Sequence, residues 1–176
     1  MFLENEKIKL RALEPEDLDA LYKWENDTEL WHLGSTLAPF SRFDLKQYIL
    51  STKDIYEKKQ LRLIIEKKTD TSQISAIGTI DLYDFDAHNS RAAIGIMIDR
   101  SYQQNGLATE ALSLFCKYVF SFLKLHQLYA FIPVSNKPSI KLFERCGFKE
   151  NGLLPEWQQT AAGYENVMIV SLISDL

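Results

Sequence analysis

Alternation of apolar and polar residues marks several short strands along this chain. Ile8–Leu13 alternates with a period of two, which is typical of a strand with one buried face. Short polar turns at Lys67–Thr71 and Asp84–Ser90 separate three further strands, so we expect those three to be antiparallel neighbours. In all, the pattern predicts strands at Ile8–Leu13, Leu61–Ile65, Ile74–Tyr83, Arg91–Ile98, Leu128–Val134 and Tyr164–Leu172.

Other segments repeat their apolar residues with the 3.6-residue period of a helix. The clearest is Ala108–Phe122, which has one apolar face and one polar face. Start and stop signals complete the set: helices are predicted from Pro15, from Arg42 towards Lys58, from Ala108 and over Asn136–Cys146, with a loop at Leu30–Phe40. Helices that alternate with strands after a three-stranded meander predict an α+β or mixed α/β fold around one sheet, and we expect a single domain over residues 1–176.

Composition narrows the function classes. The chain has 176 residues and a net charge of −4, and it lacks the basic surplus that non-specific nucleic-acid binding requires. Its longest uncharged stretches have 12 residues, short of the ~20 that a membrane span needs. The acidic N-terminus does not resemble a signal peptide, so we expect a cytoplasmic protein. Two cysteines and three histidines show no metal-ligand spacing, and no metal site is predicted.

Charge is unevenly distributed. Residues 1–30 hold nine acids and four bases, whereas residues 100–150 hold seven bases and three acids. A basic segment in an acidic protein favours a phosphorylated ligand, and an acidic front end favours a cation. Both segments are equally compatible with ordinary solvated surfaces.

The connection from the Arg91–Ile98 strand to the helix at Ala108 carries the candidate chemistry. Gly106 and Ala108 are small enough for a ligand to approach the backbone, and the free N–H groups of a helix start bind anions. The segment is neither a Walker loop nor a dinucleotide-binding Gly-x-Gly-x-x-Gly motif. It predicts a phosphate or pyrophosphate site of moderate specificity.

Gln103-x-x-Gly106-x-Ala108 resembles the pyrophosphate loop of the GNAT superfamily of acyl-CoA-dependent N-acyltransferases. Ile94–Asp99 resembles the splayed fourth strand of that family, and Asn136–Phe148 resembles its second cofactor-side motif. The opening Ile8–Asp17 is similar to the branch that holds ribosomal-protein N-terminal acetyltransferases and bacterial spermidine acetyltransferases. The resemblance runs from about Lys7 to Leu172.

The resemblance implies a mostly antiparallel central sheet, flanked by helices, whose fourth and fifth strands splay apart to hold acetyl-CoA. Backbone groups on the fourth strand would pair with the pantetheine arm, and loop amides would bind the pyrophosphate. The implied cofactor residues are Ile96, Met97, Ile98, Gln103, Gln104, Asn105, Gly106, Leu107, Ala108, Thr109, Asn136, Ser139 and Phe143. Asn136 would hold the arm from the opposite side, although asparagine is also a good helix N-cap without any cofactor.

Two positions depart from the family pattern. Gln103-Gln104-Asn105 replaces an arginine and a glycine of the usual loop, which should leave the backbone contacts intact. Phe143 stands where many members place a tyrosine that protonates the departing thiolate. That proton would then come from Tyr83, from Tyr164 or from water, or the thiolate would leave unassisted.

Attack on the thioester requires a neutral amine, so a proton must be removed from the ammonium form. The fourth strand lacks the glutamate that some relatives use, which leaves Asp81 and Glu29 as candidate bases. The predicted catalytic set is therefore Asp81, Tyr83 and Asn136. Glu29, Trp31 and His32 are predicted to bind the acceptor, because carboxylates and an aromatic face suit a cation.

The most favoured function is transfer of an acetyl group from acetyl-CoA to a primary amine, a polyamine or a related small amine above others. A peptide N-terminus is an alternative acceptor. A non-catalytic CoA-binding module on the same fold and an unrelated interaction domain are alternatives of other classes. Dimers are common in the family, so a homodimer is also expected, although no residue decides it.

Overall fold

One seven-stranded sheet runs through the chain. In the computed structural model, residues 3–32, 36–51, 54–68 and 75–174 are described. The strands are β1 (Ile8–Arg11), β2 (Leu61–Lys67), β3 (Ser75–Asp86), β4 (Arg91–Ile98), β5 (Gln127–Pro133), β6 (Lys149–Thr160) and β7 (Gly163–Ile173). Their spatial order is β1-β2-β3-β4-β5-β7-β6, and only the β4–β5 pair among these strands is parallel. The predicted, mostly antiparallel sheet is confirmed.

Helices cover both faces of this sheet. They are α1 (Leu18–Glu25), α2 (Thr28–Trp31), α3 (Arg42–Leu50), α4 (Ile55–Lys58), α5 (Leu107–Ser121) and α6 (Lys137–Arg145), with 3₁₀ turns at Pro15–Asp17 and Arg100–Tyr102. Leu63 and Ile65 of β2 belong to the large core beneath α5 and α6, whereas Ile64 belongs to a smaller core with α1 and α3. Because neighbouring strand residues point to opposite faces, the two cores lie on opposite sides of the sheet.

Most predicted elements are confirmed, and the differences have local causes. The expected helix from Arg42 to Lys58 is two helices, because Ser51 adopts extended backbone and Asp54 caps a new start. The predicted loop at Leu30–Phe40 begins inside α2, whose N-cap is Asp27. Its residues 33–35, residues 69–71 of the expected turn and the first residue of the strand predicted at Ile74–Tyr83 lie outside the described residues.

Strand β6 is not predicted by the sequence pattern. Its sequence contains Gly152 and Pro155 and lacks regular alternation, because two bulges interrupt its pairing with β7. Glycine and proline usually mark loops rather than strands. β6 is held by its long partner β7, whose own apolar pattern does predict a strand.

The pairing of β4 with β5 stops early, and this positions the functional site. The two strands pair only through Arg91–Ala93, opposite Gln127–Tyr129. The rest of β4, Ile94–Ile98, keeps its partners on β3 but has none on β5. The predicted splay of the fourth and fifth strands is confirmed, and it leaves an open strand edge in the middle of the sheet.

Candidate active site

The open edge of β4 forms the first wall of the site. Ile96, Met97 and Ile98 pair with Ile80, Thr79 and Gly78 of β3, so their other side faces the gap towards β5. Unpaired strand edges bind extended ligands by adding a strand. The three residues predicted to contact a pantetheine arm therefore lie on this unpaired edge, and the contact itself stays a prediction.

The segment after β4 is shaped by side-chain contacts of its own, and we call residues 103–108 the cofactor loop. The side-chain amide of Gln103 donates to the carbonyl of Ile98 at 2.9 Å. Asn105 donates to the carbonyl of Gln103 at 3.1 Å. Gln104 and Gly106 have φ angles of 62° and 74°, and left-handed residues of this kind occur in backbone turns that bind anions.

Helix α5 begins at this loop without a side-chain cap. Its N-cap residue is Gly106, which has no side chain to cap the first N–H groups of the helix. Leu107 is buried and anchors the first turn. The amides of the first turn therefore remain for a ligand, and the helix dipole favours an anionic one. Glu110, the acid of this turn, is bound by Lys7 at 2.7 Å and Asn5 at 2.9 Å, and the Lys7 contact lowers the pKa of Glu110.

The opposite wall begins where β5 ends. Asn136 caps α6 by accepting from the backbone N–H of Ser139 at 3.2 Å, so its oxygen has a structural role. Its amide nitrogen is then the group suited to hold a ligand. Phe143 is 2% exposed and packs edge-on against Phe148, with ring centroids 4.9 Å apart. The predicted cofactor contact of Phe143 stays a prediction.

Two of the predicted catalytic residues share one face of β3. Asp81 and Tyr83 stand two positions apart, opposite Gly95 and Ala93 of β4. A Cβ at Gly95 would lie 3.6 Å from the Tyr83 ring, so the glycine gives that ring room over the strand. Burial, reinforced by the Asp84 carboxylate, raises the pKa of Tyr83 to about 12. Tyr83 therefore keeps its proton at neutral pH.

Arg62 on β2 connects the strand face to helix α1. Its Nε donates to Asp81 at 2.6 Å and its Nη1 donates to Glu25 at 2.5 Å. The guanidinium also lies over the Tyr48 ring, 5.5 Å from its centroid. Burial raises the pKa of Asp81 and the Arg62 charge partly offsets that effect, so the carboxylate sits in a fixed, largely desolvated ion pair.

Helix α2 carries the residues predicted for the acceptor. Glu29 is paired with Arg100 at 2.5 Å, and Trp31 donates from its ring N–H to the carbonyl of Glu25 at 2.8 Å. The carbonyl of His32 accepts from the side-chain amide of Gln158 on β6. The residues predicted to bind the acceptor therefore lie between the first helices and the β6–β7 hairpin.

Sequence reasoning missed Arg62, Arg100 and Gln158. Their ion pairs and hydrogen bonds join residues that are far apart in the sequence. Arg62 and Asp81 are 19 residues apart, and every other pair is separated by at least 37 residues. Local periodicity carries no information about such contacts. The one signal that the sequence offers is the acidic surplus of residues 1–30, whose charges require compensation from elsewhere.

Two further observations concern other classes of site. Within the described ranges, no group of three histidine, cysteine, aspartate or glutamate side chains is arranged to share a metal ion. None of the described helices combines the length and apolarity needed to cross a bilayer.

Comparison with known proteins agrees with this geometry. A family model described as an acetyltransferase (GNAT) domain matches residues 7–149. The uncharacterized N-acetyltransferase p20 of Bacillus licheniformis is 30% identical over 174 residues, 97% of this chain and 95% of that protein. Spermidine N(1)-acetyltransferase of Vibrio cholerae is 28% identical over 152 residues, 86% and 84% of the two chains. The crystal structure of spermidine N-acetyltransferase from Vibrio cholerae in complex with CoA and spermine is similar with a TM-score of 0.84, at 26% identity over 96% of each chain.

Proposed function

Because the chain belongs to the GNAT family of acetyltransferases and uses acetyl-CoA, we propose that it acetylates a small primary amine of the polyamine class. The observation that carries this proposal is the charge of the acceptor side. Four carboxylates, Glu25, Asp27, Glu29 and Asp81, share two guanidinium groups, those of Arg62 and Arg100. The acceptor side keeps a negative excess, which favours an acceptor with more than one ammonium group.

The cofactor residues fit acetyl-CoA, which supplies an activated thioester when bound. The uncapped amides at the start of α5 would hold its pyrophosphate, and the open edge of β4 would align its extended arm. Gln103 fixes the turn between these two elements through the Ile98 carbonyl. Asn136, on the far wall, would hold the arm through its side-chain nitrogen. Bound in this way, the thioester would lie beside β4, the strand that pairs with β3 at Tyr83.

Tyr83 is the proposed hydrogen-bond donor to the leaving sulfur. With a pKa of about 12, it stays protonated but is a weaker acid than a free thiol, whose pKa is about 8.5. It would therefore stabilise the thiolate by donating a hydrogen bond, without full proton transfer. Tyr164, the other hydroxyl considered, is 65% exposed on β7 and is not the donor in this proposal.

Removal of the ammonium proton is proposed to involve Asp81 or Glu29. Asp81 is close to Tyr83 along β3, but Arg62 engages its Oδ1. Glu29 is more exposed and is engaged by Arg100. Because a guanidinium occupies each carboxylate, we propose that these groups attract the amine and that water carries its proton away to the solvent.

The acceptor can be identified by measuring thiol release from acetyl-CoA with spermidine, butylamine and an alanine-initiated tripeptide. We expect kcat/KM for spermidine to exceed that for butylamine at least tenfold. Glu29→Gln should raise KM for spermidine several-fold, whereas Glu57→Gln, an exposed acid on α4, should leave it unchanged. Preference for the tripeptide would replace the polyamine by a peptide N-terminus, and no thiol release with any of the three would refute the proposal.

Self-association is proposed as a further property. β6 is an edge strand, and the β6–β7 hairpin exposes Leu153, Trp157 and Tyr164 at 49%, 64% and 65%. Exposed apolar side chains on a strand edge favour pairing with a second copy. Sedimentation velocity should give a dimer or larger assembly that Trp157→Lys dissociates, and a wild-type monomer would contradict this. A cytoplasmic location likewise remains a prediction.

A further inference from the structure

Asp99 and Arg100 lie in the connection between β4 and the cofactor loop, and their side chains reach the helices on the acceptor side. The backbone N–H of Asp99 donates to the carbonyl of Ile77 at 2.7 Å, so the connection is anchored to the sheet. Gln103, three residues after Arg100, begins the cofactor loop. This short segment therefore touches both halves of the active site.

Asp99 itself is nearly enclosed and is bound by two side chains of α1. Its Oδ2 accepts from Lys23 at 2.7 Å and from the ring N–H of Trp24 at 2.8 Å, while its side chain is 11% exposed. Burial by itself would raise the pKa of Asp99, but the hydrogen bonds from Lys23, Trp24 and Ser101 outweigh it and lower that pKa. Trp24 belongs to the smaller core, so Asp99 fixes the connection against the body of α1.

The Arg100 contacts are of a different kind. Nη1 pairs with Glu29 at 2.5 Å and Nη2 lies 3.4 Å from Asp27, the N-cap residue of α2. The Arg100 and Glu29 side chains are 52% and 72% exposed. Exposed pairs of this type stabilise only weakly, and much of their cost is the entropy of ordering two long side chains.

Helix α2 depends on such polar contacts. It has four residues, none of them buried, and a helix of that length has little stability of its own. Besides Arg100, it is held by the hydrogen bond from Trp31 to Glu25 and by the one from Gln158 to the carbonyl of His32. The position of α2 therefore responds to how well Arg100 is ordered.

We propose that Arg100 is a positioning residue that transmits occupancy of the cofactor loop to helix α2. Asp99 holds the start of the connection, and phosphate groups bound at residues 103–108 would hold its other end. The Arg100 backbone would then be restrained from both sides, so the pair with Glu29 and Asp27 would form at a smaller entropic cost. The ordered α2 then presents Glu29 and Trp31 to the acceptor. Since linkage is reciprocal, an acceptor bound at α2 strengthens cofactor binding equally. The acceptor part of this inference rests on the proposed function.

Amide hydrogen exchange with CoA as the only ligand tests the transmission without any acceptor. In the wild-type protein, CoA should slow amide exchange in the cofactor loop. It should also slow the exchange of the amides of residues 28–32, by about fivefold. Arg100→Gln should keep the protection of the loop and lose that of α2, and Arg100→Lys should restore part of it. Arg42→Gln removes an exposed pair between Arg42 of α3 and Asp19 of α1 that does not touch the connection, and it should leave both protections intact.

Calorimetry then measures the coupling with spermidine as the probe. CoA should strengthen spermidine binding about fivefold in the wild type and by a factor near one in Arg100→Gln, while the Kd of CoA alone changes less than twofold. Equal α2 protection in wild type and Arg100→Gln would overturn the inference, as would a large loss of CoA affinity, which would make Arg100 a cofactor ligand. If spermidine does not bind, the proposed function fails, while the exchange result still decides the role of Arg100.

Discussion

At the scale of single residues, the raised pKa of Tyr83 predicts how kcat depends on pH. An ordinary tyrosine loses its proton near pH ~10, but the pKa of Tyr83 is raised to about 12. A donor with a raised pKa keeps its proton until the pH approaches the higher value, so kcat should show no tyrosine-like decline below about pH 11. Tyr83→Phe should lower kcat about tenfold or more while the Kd of CoA stays unchanged.

Tyr164→Phe is the matched control, since Tyr164 is largely exposed on β7. It should leave kcat and its pH profile as in the wild type. A decline of the wild-type kcat with an apparent pKa near ~10, or a large effect of Tyr164→Phe, would move the donor away from Tyr83.

The backbone at Gly106 predicts that a side chain there lowers the affinity for acetyl-CoA. Its φ of 74° disfavours any side chain, although a Cβ there would meet no atom of the chain within 4 Å. The space around it is therefore open to a ligand, and Gly106→Val would place methyl groups where phosphate has to approach. The Kd of acetyl-CoA should rise at least about tenfold, or about 1.4 kcal/mol, by calorimetry. Unchanged affinity in a folded Gly106→Val protein would remove this loop from the site.

At the scale of secondary structure elements, the sheet is most sensitive at Gly78. A Cβ at this position would lie 2.0 Å from the carbonyl oxygen of Met97, so β3 and β4 cannot keep their spacing around an alanine. Gly78→Ala should lower the free energy of unfolding by about 3 kcal/mol or more in denaturant titrations. Gly152→Ala on β6, whose Cβ would meet nothing within 4 Å, should change it by less than about 1 kcal/mol.

Elements whose pattern reflects burial are predictable from the sequence, and those held by partners are not. The predicted bounds of α5 lie within one residue of the observed ones, because its apolar face lies in the large core. β6 carries little pattern, because its exposed edge and two bulges free most of its side chains from the core. α2 has no buried residue at all, so no periodicity could reveal it.

The cofactor side of the site is easier to predict from the sequence than the proposed acceptor side, because its residues are neighbours in the chain. The cofactor loop is contiguous in sequence, and its glycine and small residues are visible locally. The proposed acceptor side includes Arg62 and Arg100, whose partners on α1 and α2 lie at least 37 residues away. Sequence pattern indicates the acids of that region but not the guanidinium groups that share their charge.

At the scale of the whole molecule, the two cores should unfold together. Leu63, Ile64 and Ile65 are consecutive residues of β2 and divide between the large and the small core, so neither core can open without disturbing the strand of the other. We expect a single calorimetric transition. CoA at about 100 times its Kd should stabilise the protein by about 2.7 kcal/mol and raise Tm by roughly 5–10 °C. Two resolved transitions, only one of them shifted by CoA, would show that the cores are independent.

The hydrogen bond between Gln158 and the carbonyl of His32 joins β6 to the segment that follows α2, 126 residues earlier in the chain. The predicted cofactor residues occupy one stretch from β4 to α6, whereas most of the proposed acceptor side comes from segments before and after that stretch. Substitutions on α2 therefore have to keep two contacts, the one with Gln158 and the one between Glu29 and Arg100 of the central stretch. In protein engineering, α2 and the β6–β7 hairpin should therefore be replaced together. Grafting both from a donor enzyme preserves the contact between them, whereas grafting only one of them breaks it.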